Sequence, residues 1–163
     1  MTREITIRLA EPADAGLVLR FIRELAAYER APCAVVATEA DLVRHGFGPN
    51  PQFEAILAFL DGAPAGCAVF HSRFSTWLGR PGMYLEDLYV AEAARGIGVG
   101  RRLMARLAAI AVEREWGRID FQVLDWNPAR NFYRGLGMAH LGEWLRYGAD
   151  GEVLRRLANE DRG

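Results

Sequence analysis

Between Ala91 and Arg102 the chain reads AEAARGIGVGRR. Gly96, Gly98 and Gly100 alternate with Ile97 and Val99, and Arg95 and Arg101 flank the run. It follows a short apolar stretch, Met83 to Val90, and opens directly into an amphipathic segment, Arg101 to Trp116. The first turn of a helix carries N–H groups with no intrahelical acceptor and a partial positive charge, so it binds anions. Glycine lets a ligand approach the backbone closely. The run from Arg95 to Arg101 therefore reads as a phosphate cradle, with Arg102 adding charge.

Three glycine-rich motifs compete for this stretch. A P-loop ends in Gly-Lys-Ser/Thr, and here Gly100 is followed by Arg101 and Arg102. A dinucleotide fingerprint needs G-x-G-x-x-G, and counting from Gly96 and Gly98 the third glycine falls on Arg101. What remains is R-x-x-G-x-G, carried by Arg95, Gly98 and Gly100. Set against it is a plain strand–helix turn that uses glycine for geometry alone. The arginines on either side favour the ligand-binding reading.

The 163 residues suit one domain, 1–163, with a sizeable core. A formal net charge of −1 gives no support to nucleic-acid binding. No apolar run is long enough to cross a bilayer, and the charged, alternating start MTREITIRLAEP does not read as a signal peptide. Cys33 and Cys67 make no disulfide framework and fit a reducing, cytoplasmic setting. His45, His71 and His140 lack metal-ligand spacing, so no metal is expected and all three read as structural or surface residues.

Alternation at Ile5, Ile7 and Leu9 predicts a first strand. Pro12 and Asp14 open a helix with an apolar stripe at Leu17, Phe21, Leu25 and Tyr28. Thr38 and Asp41 cap a second helix running to about Phe47. Phe53–Phe59 and Pro64–Phe74 form a hairpin about Asp61-Gly62. Met83–Val90 is the central strand. The central helix, Arg101–Trp116, buries Leu103, Leu107, Ile110 and Ala111 and ends at Gly117. A strand over Ile119–Leu124, a short helix from Pro128 to Leu136, a strand over Trp144–Tyr147 and a helix over Glu152–Ala158 complete the chain. The sum is a mixed α/β domain with a largely antiparallel sheet around one parallel β-α-β unit.

The R-x-x-G-x-G run resembles the pyrophosphate-binding motif of the GNAT acetyltransferase superfamily, whose ligand is acetyl-CoA. The stretch Leu85 to Val90 precedes it at the family's spacing. Asn131 to Met138 is similar to the family's tyrosine helix with its Leu-Gly turn. Phe21–Glu29, Phe74–Gly79, Tyr84–Asp87 and Val123–Asn127 are similar to the diamine acetyltransferase branch, which holds spermidine/spermine and thialysine-type enzymes. Polyamine-acetylating members place an acidic residue where this chain has Ser75; thialysine-type members carry Ser-Thr-Trp, as here at Ser75, Thr76 and Trp77. Asn127 lies one residue closer to Tyr133 than is usual in the family.

The resemblance implies a GNAT-like fold, acetyl-CoA as cosubstrate, a small amine as acceptor and a homodimer. Amine acetylation needs a neutral amine, a donor to the thioester oxygen and a proton for the departing thiolate. The resemblance makes Glu86 the base, directly or through water, and Tyr133 the acid. Strand alternation places Asp87 on the opposite face from Glu86. Backbone groups of Leu88, Tyr89 and Val90, with Asn127 and the cradle, would hold the cofactor. Tyr28, Glu29, Glu86 and Trp77 would meet the substrate, with Trp126 as a further wall. Against these stand plainer readings: a surface carboxylate for Glu86, a core aromatic for Tyr133, and a solvated helix end for Glu29. The expected activity is acetyl transfer to a primary amine of a small diamine or lysine-like compound in a ternary complex. Its competitors are acetylation of a protein N-terminus or other amine, and a non-catalytic acyl-CoA sensor. The presence of both Glu86 and Tyr133 counts against the sensor, since binding alone needs neither.

Overall fold

The computed structural model describes residues 3–161. Its elements in order are β1 (Ile5–Leu9), α1 (Ala15–Tyr28), α2 (Glu39–Gly46), β2 (Glu54–Leu60), β3 (Ala63–Ser75), β4 (Arg80–Val90), α3 (Val99–Glu113), β5 (Ile119–Asp120), α4 (Ala129–Gly135) and α5 (Gly151–Glu160). The contacts divide the chain into two compact units, one ending at Arg130 and one beginning at Asn131.

In the first unit the strands lie in the order β1-β2-β3-β4-β5. The first three pairings are antiparallel and β4 with β5 is parallel. The expected hairpin forms: Asp61 (φ 50°) and Gly62 (φ 81°) are both left-handed, the geometry of a two-residue turn that matches strand twist. The α2 cap also forms, with the Asp41 N–H donating to Thr38 Oγ1 at 3.2 Å and the Thr38 N–H to the Asp41 carboxylate at 2.9 Å.

The sheet is covered on both faces. Ala15, Val18, Leu19 and Phe21 of α1 pack with Leu57, Cys67 and Val69. The alternate residues face α3: a Cβ on Gly66 would sit 3.3 Å from Leu103, placing Gly66, Ala68 and Phe70 on that side. The α3 stripe Leu103, Leu107, Ile110 and Ala111 is buried as expected, with Val99 and Met104 added. The α1 stripe is rotated from the expected one. Phe21 is shared, but Ala15, Val18, Leu19 and Ala26 replace Leu17, Leu25 and Tyr28 as the buried set. Small alanines at both ends let the helix lie close against the sheet, which a pattern of large residues does not reveal.

Two helices end by the same device, and for α3 it differs from expectation. α3 stops at Glu113, and Glu115 (φ 55°) takes the left-handed position assigned to glycine. Trp116 N–H reaches the Ala111 carbonyl at 2.8 Å and Glu115 N–H the Val112 carbonyl at 3.1 Å, a Schellman ending without glycine. Arg30 (φ 64°) ends α1 in the same way. Gly117 serves close packing instead: a Cβ there would meet Arg80 Nε at 2.8 Å.

β5 is shorter than expected. It pairs with β4 only at Met83↔Ile119 and Tyr84↔Asp120, and residues 121–124 follow without strand assignment. Beyond Tyr84, no strand among the described residues covers that edge of β4.

The second unit holds the rest of α4, residues 138–150 without helix or strand, and α5. Gly137 (φ 83°) ends α4, as the Leu-Gly turn predicted. The expected strand over Trp144–Tyr147 is absent; its alternating pattern finds no strand to pair with among the described residues.

Candidate active site

The cradle is built by backbone conformation. Gly96 (φ 73°) and Gly98 (φ 100°) are both left-handed, and a Cβ at either would find nothing within 4 Å. Gly98 caps α3, and Arg102 N–H is bonded back to the Gly98 carbonyl at 3.0 Å. The N–H groups of Val99, Gly100 and Arg101 come before it, so they have no intrahelical acceptor. Arg101 and Arg102 are exposed, while Val99 turns into the core. Glycines in open space, free N–H groups and exposed arginines fit a pyrophosphate. Arg95 is committed in part elsewhere: its Nε donates to the Val90 carbonyl at 3.0 Å, and its guanidinium lies over Tyr28 (4.8 Å) and Tyr89 (5.6 Å).

The edge of β4 leads into this cradle. The Tyr89 carbonyl faces β3, because a Cβ on Gly66 would sit 2.6 Å from it. Leu88 and Val90 therefore turn their N–H and C=O groups to the uncovered edge. Val90 gives its carbonyl to Arg95, while Leu88 leaves a donor and an acceptor facing outward. The Tyr89 side chain goes the other way, onto Phe21 under α1 (ring centroids 6.0 Å apart), and its backbone is turned to β3, so the expected contact of Tyr89 with a cofactor is not offered at this edge.

Two residues upstream the strand carries a bulge. Val69 pairs with Asp87, yet Phe70 pairs with Leu85, so Glu86 is an extra residue opposite no partner. Glu86 Oε1 lies 3.0 Å from His71 Nε2. His71 shares the face of Val69, two residues away, and Asp87 is paired with Val69. The bulge thus puts both carboxylates on the α1 face, correcting the alternating reading that separated them. Burial, then the charges of Glu86 and Glu29, push the Asp87 carboxyl up to about 6. Glu29, the residue after α1, is therefore close enough to act on Asp87, and the first unit brings Glu29, Glu86 and Asp87 together.

Asp87 was missed by the sequence reading. Its signal was present as an acidic neighbour of Glu86, but strict period-2 alternation assigned it elsewhere. Trp77 is not brought to this cluster. It sits at the tip of the β3–β4 hairpin, 86 % exposed, beyond the Ser75↔Arg80 pair. Five residues separate Phe70 from Ser75, roughly 17 Å along a strand. Trp126 is covered by the Arg30 guanidinium, 4.0 Å from its ring. Asn127 is 6 % exposed, and its Oδ1 accepts from Ala129 N–H at 2.9 Å, so this side chain caps α4.

In the second unit Tyr133 lies on α4, with its ring 5.1 Å from that of Phe132. Its carbonyl accepts from Met138 N–H at 3.1 Å, which fixes the helix end. Among the described residues no group of His, Cys, Asp and Glu is arranged to hold a metal ion. No described helix is long and apolar enough to cross a membrane.

Comparison with known proteins agrees with this geometry. The model of the "Acetyltransferase (GNAT) family" matches residues 21–138. The mouse thialysine N-epsilon-acetyltransferase is 37 % identical over 164 residues, covering 93 % of this chain and 96 % of its own. The human spermidine/spermine N(1)-acetyltransferase-like protein 1 is 35 % identical over 95 % of this chain, which spans 24 % of its length. Among solved structures, an integron cassette protein from the mobile metagenome of V. cholerae superposes with a TM-score of 0.78 at 30 % identity, covering 97 % of this chain and 98 % of that one. The chain belongs to the GNAT family of acetyltransferases and is an enzyme of that kind.

Proposed function

We propose that this acetyltransferase moves the acetyl group of acetyl-CoA to a primary amine of a small diamine or lysine-like, thialysine-type compound, by direct attack in a ternary complex. The observation that carries the reading is the convergence of Glu29, Glu86 and Asp87 on one sheet face. Such a cluster attracts a cationic amine and disfavours an acidic acceptor. The names of the relatives support the same substrate class.

Bound acetyl-CoA would supply the thioester carbon and the thiol leaving group. The cradle, Arg95 through Arg101, would hold the pyrophosphate, and the open edge of Leu88 would bond the pantetheine arm as an added strand does. The outward N–H of Leu88 would meet the thioester oxygen as it gains charge. Glu86 takes the amine proton, directly or through water, since an alkyl ammonium titrates near pH ~10 and must be neutral to attack. Tyr133 returns a proton to the departing thiolate. Tyr28 and Glu29 flank the entering amine. Asn127, already capping α4, orders the turn that leads to Tyr133. Asp87 joins the site as a second carboxylate.

The test is thiol release from acetyl-CoA against spermidine, putrescine, thialysine, lysine, an aminoglycoside and a short peptide. Turnover on thialysine or a diamine supports the reading; turnover confined to the peptide or the aminoglycoside overturns it. We further infer a cytoplasmic homodimer. Exposed Leu141, Leu145 and Tyr147 support an assembly, which sedimentation of the full chain would test.

A further inference from the structure

His71 is absorbed by neither the cradle nor the family motifs, yet both of its ring nitrogens are engaged. Nδ1 lies 3.0 Å from the Ser72 carbonyl, and Nε2 lies 3.0 Å from Glu86 Oε1. A carbonyl can only accept, so Nδ1 carries the hydrogen and donates to Ser72. The neutral ring then presents the Nε2 lone pair to Glu86. One proton fits between them in either position. It can sit on Glu86 and be donated to Nε2, or sit on Nε2 and be donated to the carboxylate. The His71 ring also packs against Tyr84, with centroids 5.4 Å apart, which limits its rotation. His71 is also among the residues, with Gln52, Glu54 and Trp116, that line a cleft of about 250 Å³.

We propose that His71 is the positioning residue of the amine step, acting through Glu86: Nε2 shares the proton that Glu86 takes from the substrate ammonium, holding the protonated carboxyl in place until the half-exposed Glu86 passes the proton to solvent. The inference rests on the amine-acetylating reading of Glu86. The balance is closed. The ammonium loses one proton, Glu86 and His71 Nε2 share it, solvent gains it from Glu86, and both side chains return to their starting states with Nδ1–H still on the Ser72 carbonyl. A carboxylate alone is a weak acceptor for an amine proton, whereas an imidazole ordinarily titrates nearer neutrality and so matches the task better.

The charged and titratable groups around His71 are known. Glu86, Asp87 and Tyr84 come from β4. Arg73 of β3 lies over the Tyr84 ring at 5.7 Å. Glu54 of β2 shares the cleft but is already paired with Arg114, and the Glu29 charge acts on Asp87. The paired Glu54 leaves Glu86 as the carboxylate that answers to His71.

His71→Gln keeps a donor for Glu86 but cannot take a proton. We expect kcat/KM for the amine to fall about tenfold or more near neutral pH, with the acidic limb of the pH profile displaced and acetyl-CoA affinity unchanged. An unchanged rate and profile would overturn the proposal. A second readout needs no turnover: at fixed pH the nitrogen NMR signal of His71 Nε2 should move in Glu86→Gln, because Nε2 faces the Glu86 carboxylate at 3.0 Å. A Nε2 signal that ignores Glu86 overturns the proposal whatever the amines show. A wild-type enzyme inactive on every amine, with the Nε2 signal still following Glu86, would instead remove the amine reading and leave the coupled pair standing.

Discussion

Glu86 and Asp87 are neighbours in sequence and share one face of β4, because Glu86 occupies a bulge between the Val69↔Asp87 and Phe70↔Leu85 pairs. Two like charges held side by side, one of them mostly buried, oppose each other and the fold. The Asp87 carboxyl holds its proton up to about pH 6, against an ordinary 3.8. Below about pH 4 both folded and unfolded chains keep the proton, and burying Asp87 carries no charge penalty. Between about pH 4 and 6 the unfolded chain releases this proton while the native carboxyl still holds it, so stability falls as pH rises through that window. The loss approaches about 3 kcal/mol above pH 7. Asp87→Asn should therefore stabilise the protein at pH 8 by up to about 3 kcal/mol relative to its effect at pH 4. Urea unfolding at the two pH values measures this. An equal effect at both would show that Asp87 is not held in its charged form against its surroundings. The same substitution should raise KM for the amine, the sign of a group kept for function at the expense of stability.

Cys67 shares the α1 face of the sheet with Asp87, one strand over. Its thiol is pushed up, first by burial and then by the Asp87 charge, so almost no thiolate forms at ordinary pH. Cys33 is exposed. A thiol reagent at pH 8 should modify Cys33 in the native enzyme and reach Cys67 only after unfolding. Peptide mapping after a brief pulse separates the two. Prompt labelling of Cys67 in the folded enzyme would mean that the α1 side of the sheet opens readily.

The glycine cradle, the Asp61-Gly62 hairpin and the Thr38–Asp41 cap were legible because each depends on residue types that few other structures demand. The bulge at Glu86 was not. It contains no glycine, and a run such as Tyr84-Leu85-Glu86-Asp87-Leu88 fits regular alternation equally well. Hidden with it were the meeting of Glu86 with His71 and the place of Asp87. The left-handed Glu115 escaped for the opposite reason, since Gly117 nearby offered a better local candidate and was needed for packing against Arg80. Strand ends depend on partners, not on composition. Residues 121–124 are as apolar as a strand requires, yet they leave β4 after Asp120 and so uncover the edge at Leu88.

Tyr133→Phe removes the phenolic proton donor and keeps the ring that packs beside Phe132 and the backbone bonds of the helix end. If Tyr133 protonates the departing thiolate, kcat should fall about a hundredfold, with acetyl-CoA affinity unchanged. Single-turnover thiol release distinguishes this from slow product release. Unaltered turnover would remove Tyr133 as the acid and leave water in that role.

Gly98 tests the cradle itself. Its φ of 100° is a conformation that L side chains rarely adopt, and the space a Cβ would enter is empty of protein. Gly98→Val therefore has two separable consequences. The backbone strain costs about 1–2 kcal/mol of stability, visible as a lower unfolding midpoint. The side chain also projects into the space proposed for the pyrophosphate, so acetyl-CoA affinity should fall by at least about tenfold, or 1.4 kcal/mol. Gly62→Val provides the control: Gly62 has a similar positive φ (81°) and equally open surroundings, but lies in the β2–β3 turn. It should lose stability and keep acetyl-CoA binding. Calorimetric titration of both variants decides the matter: equal affinity in the two would place the phosphate site somewhere other than the start of α3.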